Sequence, residues 1–206
     1  MKSIILASAS PRRKKLLEQI NLTFRVHPSG VSETYEPDWS PSRIVKKLAL
    51  RKAKDIAANY QNALVIGADT IVTFRNKVLE KPGDAEDARR MLKMLSGATH
   101  QVYSGVALCK TDSDNNIIDS ITFSEKTDVF FGELASEMIE RYIQSGSPMD
   151  KAGGYGIQDD FGAIFVKRIE GDYYNVVGFP LHSFYTTLKS FDKDLLPKIG
   201  SARPLQ

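Results

Sequence analysis

In the stretch VIGADTIV, residues 65 to 72, a single aspartate, Asp69, interrupts a run apolar enough to be a strand wholly inside a protein. Taking an ionised carboxylate out of water costs several kcal/mol, so a stable fold keeps one there only beside a cation, a metal or strong hydrogen-bond donors. Asp69 is therefore either a structural ion partner or a carboxylate held against a ligand. Gly67 and Ala68, just before it, favour close backbone approach, which suits a cleft. Lys52 poses the complementary problem. In the helix opening at Pro41, Ile44, Val45, Leu48, Ala49, Ile56 and Tyr60 recur at the i, i+3, i+4 spacing of a buried stripe, and Lys52 falls inside it. Its ammonium either snorkels to the edge of the core or enters a pocket for an anion such as phosphate.

Three further stretches carry residues fit for anion chemistry. SASPRRKK sets Ser8, Ser10, Arg12 and Arg13 at a strand-to-helix junction, where hydroxyls, free N–H groups and guanidinium groups can bind a phosphate. A serine cap ahead of a solvated basic face fits the same residues, and Arg12 and Arg13, one helical step apart, need not face the same way. LEKPGD places Lys81 just ahead of a helix N-terminus, within reach of an anion near Asp69 or simply on a turn surface. MDKAGGYGIQ combines an acid, Lys151, glycines that let a ligand approach the backbone, and Gln158, whose amide can read a polar edge. His27, His100 and His182 lack metal-ligand spacing. The lone Cys109 excludes an internal disulfide and a cysteine-rich zinc site, and its apolar neighbours predict a buried, inert thiol. No P-loop, dinucleotide fingerprint or nucleophile elbow is present.

The elements that must position these residues are legible from caps and periodicity. KSIILAS reads as a short buried strand. Ser10 then caps a helix beginning at Pro11, TFRVHP follows as a strand, and a polar loop leads to Ser40 and the long helix from Pro41 to about Tyr60. The strand holding Asp69 turns at RNK. GDAEDARRMLKMLSG is a helix capped by Asp84 and stopped by Gly97. HQVYSGVALCKT and IIDSITFSEKTDVFF are strands joined by the hairpin loop DSDNN, and SEMIERYIQSG is a helix ended by Gly146. GAIFVKRIEGDYYNVVGFP reads as a hairpin and LHSFYTTLKSF as the last helix. Arg43, Lys46, Lys47, Arg51 and Lys54 read as a solvated helix face. Early alternation of strands and helices, with adjacent strands later, predicts an α/β fold: a mixed sheet flanked by helices.

The 206 residues, 42% hydrophobic and 26% charged, suit one globular domain or two closely joined lobes. A net charge of +3 is compatible with an anionic ligand but short of a nucleic-acid-binding signature, and SPRRKK lacks interleaved aromatics, so no stable nucleic-acid binding is expected. The apolar run SIILASASP is too short for a secretory signal or a membrane span, and with the single cysteine it predicts a cytoplasmic protein.

Taken together and in order, LASASPRRKKLL, VIGADTIV, EKPGDAEDARRMLKMLSG, HQVYSGVAL and DKAGGYGIQ closely resemble the Maf family of nucleoside triphosphate pyrophosphatases, over residues 1–191, leaving 192–206 as a C-terminal tail. The resemblance implies an elongated mixed sheet in two lobes around a central cleft, as in inosine triphosphate pyrophosphatases, and often a homodimer. It implies hydrolysis of a nucleoside triphosphate to monophosphate and pyrophosphate with magnesium or manganese. It gives Asp69 the role of proton acceptor, with Lys52 and Lys81 beside it, and associates Arg12, Thr70 and Gln158 with substrate choice. Phosphate or metal contacts follow for Ser8, Ser10, Arg13, Glu33, Lys52, Lys81 and Lys151, with Glu33 and Asp69 as metal ligands. GADT and GIQ match the subgroup acting on dTTP and UTP, with CTP and modified pyrimidine nucleotides as further substrates. A different class of function, also implied by the family, is a non-catalytic nucleotide-binding regulator of septum formation. Retention of a buried Asp69 and Lys52 argues for catalysis, since binding alone could use neutral donors.

Overall fold

The computed structural model describes residues 3–158 and 160–197. Its first half runs β1 (Ser3–Leu6), α1 (Pro11–Gln19), β2 (Arg25–Val26), α2 (Pro41–Ala57), β3 (Ala63–Phe74), β4 (Lys77–Leu79) and α3 (Ala85–Leu95). The second half runs β5 (Thr99–Thr111), β6 (Ile117–Phe131), α4 (Ser136–Gln144), β7 (Val166–Glu170), α5 (Tyr173–Val177) and α6 (Leu181–Phe191). All seven strands form one sheet in the order β2-β1-β3-β5-β6-β7, with β4 paired to β3. β1 is parallel to β2 and β3, and the other pairings are antiparallel, so the sheet is mixed as expected.

The pairing of β3 creates the cleft. Along one edge it is matched to β5 from Leu64 to Thr73. Along the other, β1 stops opposite Ile66 and β4 starts only opposite Val72. Residues 67–71 therefore have a neighbouring strand on one side only, and Asp69 stands in the middle of that gap. The faces of β3 are divided in the same place. Leu64, Ile66 and Ala68 join a core with α1, α5 and α6, whereas Val72 and Phe74, on the same face, join one with α3 and α4. Thr70 lies between these two lobes. On the opposite face Ala63, Val65 and Ile71 are covered by α2.

Two glycines let α2 come down onto that face. A Cβ at Gly67 would sit 2.1 Å from the Ala49 carbonyl oxygen, and one at Gly105 would sit 2.4 Å from that of Val45. The expected caps are present: Ser10 accepts from the Arg13 N–H, Ser40 from Arg43 and Asp84 from Asp87. Cys109 is buried and its thiol is pushed up to about 11 by burial, as an inert thiol requires.

Some expectations need correction. The strand read in TFRVHP is only two residues long, Arg25 and Val26 pairing with Ile5 and Leu6 of β1. The long helix ends at Ala57, three residues before Tyr60. GAIFVKRIEGDYYNVVGFP is no hairpin: after β7, Asp172 accepts a hydrogen bond from the Tyr174 N–H and starts α5. The first residues of the expected tail are folded, with a 3-10 turn at Lys193–Leu195 and Asp192 paired to Lys110 at 3.3 Å, while 198–206 lie outside the described residues. Among the described residues, no helix is long and apolar enough to cross a membrane.

Two outcomes follow. Gly67→Ala must push α2 outward, so we expect a stability loss of about 1–3 kcal/mol, read as a lower urea midpoint. His100 is buried against Phe131 and Tyr155, with Nε2 2.7 Å from the tyrosine hydroxyl, and burial pushes its pKa down to about 4. Unfolded, the ring protonates near 6.5, so between the two values the unfolded chain binds the extra proton. Stability contributed by the neutral ring is complete above pH 6.5 and falls as pH drops toward 4, by about 3 kcal/mol in total. Urea titrations of His100→Gln should lack that part of the pH dependence.

Candidate active site

A cavity of about 400 Å³ opens at the gap in β3, and every residue that the family resemblance associates with catalysis, substrate or metal lines it. Ser8 and Ser10 come from the turn between β1 and α1, Arg12 and Arg13 from the first turn of α1, Lys52 from α2, and Asp69 and Thr70 from β3. Glu33 comes from the irregular segment 27–39, Lys81 from the approach to α3, and Lys151 and Gln158 from the glycine-rich segment. Gly153 in that segment has φ +72° and lies against Val72, where a Cβ would be 3.1 Å from the valine side chain. A larger residue there would hold the segment off β3.

The floor of the cleft is an ionic triad. Lys52 Nζ lies 2.6 Å from Asp69 Oδ1 and 2.6 Å from Glu33 Oε1. The lysine and aspartate side chains are 10% and 8% exposed, so the ammonium does not snorkel out but spans between two carboxylates. Both uses considered for Asp69 thus coexist: it is paired with a lysine and it borders a cavity. Glu33 is far more open to solvent, and the Lys52 hydrogen bond holds its carboxyl below the ordinary glutamate range, overcoming partial burial with help from the charges of Lys52, Lys81 and Arg13.

Arg13 and Arg12 diverge, as one helical step allows. Arg13 is a framework group whose Nε donates to the Gly178 carbonyl at 3.0 Å. Its Nη1 donates to Ser8 Oγ and the Ala68 carbonyl, and its Nη2 to Thr70 Oγ1. One guanidinium thereby ties the β1–α1 turn, the open edge of β3 and the end of α5 together. The Thr70 hydroxyl also meets Ser104 Oγ at 2.8 Å. Arg12 instead crosses the cleft to Asp150 Oδ2 at 2.8 Å. Lys151 is buried, with Nζ 2.6 Å from Asp150 Oδ1 and 2.6 Å from the Ser147 carbonyl, and Lys81 is exposed at the rim. Gln158 Nε2 is a buried donor that no acceptor satisfies, a costly arrangement unless a ligand supplies one.

Sequence reasoning missed several supports. Asn175 is fully buried and donates to the Val102 carbonyl at 3.0 Å and Thr127 Oγ1 at 2.9 Å, pinning α5 so that the nearby Gly178 carbonyl meets Arg13. A polar residue amid the apolar YYNVV was the available signal. Asp150 stood in a quoted motif with no partner assigned. Arg51, taken for part of a solvated face, instead donates from Nη1 to the carbonyls of Ser32 at 2.6 Å and Thr34 at 2.9 Å, the residues flanking Glu33. Only the return of segment 27–39 over α2 makes it a clamp. Among the described residues there is no group of three or more His, Cys, Asp or Glu able to hold a metal unaided.

Fold and site define an α/β protein with a cationic cleft cut into the middle strand of its sheet. The chain matches the Maf-like protein family model over residues 3–191 and belongs to that family. It is 49% identical over 195 residues to a dTTP/UTP pyrophosphatase of Bacillus cereus (strain G9842), covering 95% of this chain and 98% of the relative. It is 48% identical over 200 residues to one of Shouchella clausii (strain KSM-K16), covering 97% and 100%. With one of Bacillus cytotoxicus it shares 50% over 192 residues, covering 93% and 97%. Among solved structures, a HAM1 protein from Coxiella burnetii aligns with a TM-score of 0.43 at 16% identity over 64% of this chain and 73% of that one, a likeness too faint to argue from.

The Arg51 clamp has a direct readout. In Arg51→Met, amide hydrogen exchange across residues 29–36 should rise at least about tenfold while the strands of the sheet keep their protection.

Proposed function

We propose that this chain is a nucleoside triphosphate pyrophosphatase that splits dTTP and UTP into the monophosphate and pyrophosphate. The observation that carries the reading is the Lys52–Asp69 pair at the floor of a cavity whose walls bring Arg12, Lys81 and Lys151 together. The names of relatives 48–50% identical over nearly the whole chain support it.

The chemistry follows from the side chains. Arg12, Lys81 and Lys151, with the hydroxyls of Ser8 and Ser10, receive the phosphate oxygens and offset charge that builds on the departing pyrophosphate. Lys52 fixes the orientation of Asp69, which takes a proton from water as its oxygen attacks the α-phosphorus. The bond from that phosphorus to the bridging oxygen breaks, and pyrophosphate leaves. Arg13, with its donors directed into the frame, keeps the turn, the strand edge and α5 in register around that event. The donor set also fits a hard divalent cation, magnesium or manganese, which Glu33 and Asp69 would hold through the carboxylate oxygens that Lys52 leaves open. Such an ion, when bound, neutralises phosphate charge. The Gln158 amide, with its unsatisfied donor, reads the carbonyl edge of the pyrimidine.

The alternative of a regulator without turnover has less behind it, since the relatives bear an enzyme's name and binding alone could use neutral donors in place of a buried carboxylate–lysine pair. The deciding experiment is pyrophosphate release from dTTP, UTP, CTP, dATP, GTP and 7-methyl-GTP in magnesium. Wild-type protein should favour dTTP and UTP, and Asp69→Asn should lose about 10²–10⁴-fold in kcat. Equal rates for the two proteins would remove Asp69 from the reaction, and silence of the wild type on every triphosphate would overturn the reading.

A further inference from the structure

Asp150 is the one acidic group in the cleft wall, among the described residues, that the chemistry above does not use. Glu33 and Asp69 are engaged by Lys52 on the floor, whereas Asp150, also lining the cavity, is paired with Arg12 and Lys151. Its two carboxylate oxygens are divided between two cations: Oδ2 takes Arg12 Nη1 at 2.8 Å and Oδ1 takes Lys151 Nζ at 2.6 Å. This is the arrangement a phosphate group adopts between an arginine and a lysine. The carboxylate also joins the start of α1, through Arg12, to the lobe built on α3 and α4.

We propose that Asp150 is an internal competitor for the polyphosphate: it holds the Arg12 and Lys151 donors that a phosphate needs, yields them on binding and reclaims them to expel the product. The inference rests on the reading above that the cleft takes a polyphosphate. A carboxylate left beside a phosphate bound to the same two cations would repel it through a partly desolvated medium, so both anions cannot share these donors without cost. The competing side chain is placed to move. Its side chain is 60% exposed while that of Lys151 is 9% exposed, so the acid can swing into water and the lysine cannot. The short turn carrying it, Ser147–Asp150, is entered through Gly146 at φ +74° and is followed by Gly153 and Gly154, both at positive φ. Arg12 is 27% exposed, and its guanidinium can turn from Asp150 toward the cavity that it already lines.

The sign of one substitution decides the matter. Isothermal titration with inorganic pyrophosphate in EDTA, where side-chain cations alone hold the anion, should show about tenfold tighter binding to Asp150→Asn than to wild type. Asp150→Glu, which keeps the charge, should stay within about threefold of wild type. In magnesium the KM for dTTP should fall with Asp150→Asn, and inhibition by pyrophosphate should strengthen. Weaker binding would show that Asp150 serves to hold Arg12 in place for substrate, and binding within twofold of wild type would show that it does not compete; either overturns the proposal. Asp150→Ser gives the same comparison if the amide variant melts at lower temperature. The titration needs no turnover: tighter pyrophosphate binding in a chain that hydrolyses no triphosphate would uphold the competition and sink the proposed activity.

Discussion

One ammonium group sets the terms for this molecule. Lys52 sits inside the apolar face of α2 and can stay there only because Asp69 and Glu33 each come within 2.6 Å of it. Removal of Lys52 leaves two carboxylates without their cation, and removal of Asp69 leaves the buried ammonium with only the exposed Glu33 as counterpart. The demand reaches beyond the triad. α2 must press against the sheet, which glycines at 67 and 105 allow, and segment 27–39 must fold back over α2, which the Arg51 clamp secures.

The same constraint explains why the cleft lies in the middle of the sheet rather than at its rim. The face of β3 that carries Asp69 is covered by α2, so with both edges paired as well the carboxylate would be walled off from a ligand. A strand exposed along one whole edge would invite pairing with another chain. β3 takes neither course: β1 and β4 share its edge in turn and leave 67–71 open between them. Arg13 occupies part of this opening, donating to the Ala68 carbonyl, so the interrupted ladder recovers a hydrogen bond from a side chain. Its four donations bind the strand, the β1–α1 turn and α5 into a single wall, and Asn175 secures α5 from behind.

The charges on the wall are arranged in two tiers. The lower one, Lys52 with Asp69 and Glu33, is closed on itself and buried at Lys52 and Asp69. The upper one, Arg12 and Lys151 with Asp150, is bridged by an exposed acid on a glycine-flanked turn. A rigid pair suits a group that must hold orientation during bond breaking. A looser one suits donors that must be exchanged with each turnover.

Much was legible in the sequence because it is governed by local physics. Ser10, Ser40 and Asp84 announce helix starts by capping, the stripe from Ile44 to Ile56 fixes the buried face of α2, and Asp69 and Lys52 declare themselves as charges in apolar surroundings. The resemblance carried by five ordered motifs selected residues that all prove to line one cavity. Other features were out of reach because they depend on which distant segments meet. Arg51 looks like any solvated arginine until segment 27–39 returns over it, and Asp150 like any turn acid until Arg12 arrives from across the cleft. The helix after Gly171 was mistaken for a strand because YYNVV has β propensity, and only the Asp172 cap and the burial of Asn175 override it. The sequence determined which residues carry charge into the interior, since that cost is paid residue by residue; the tertiary structure decided which charges answer one another, since Coulomb interactions depend on distances that only the folded chain establishes.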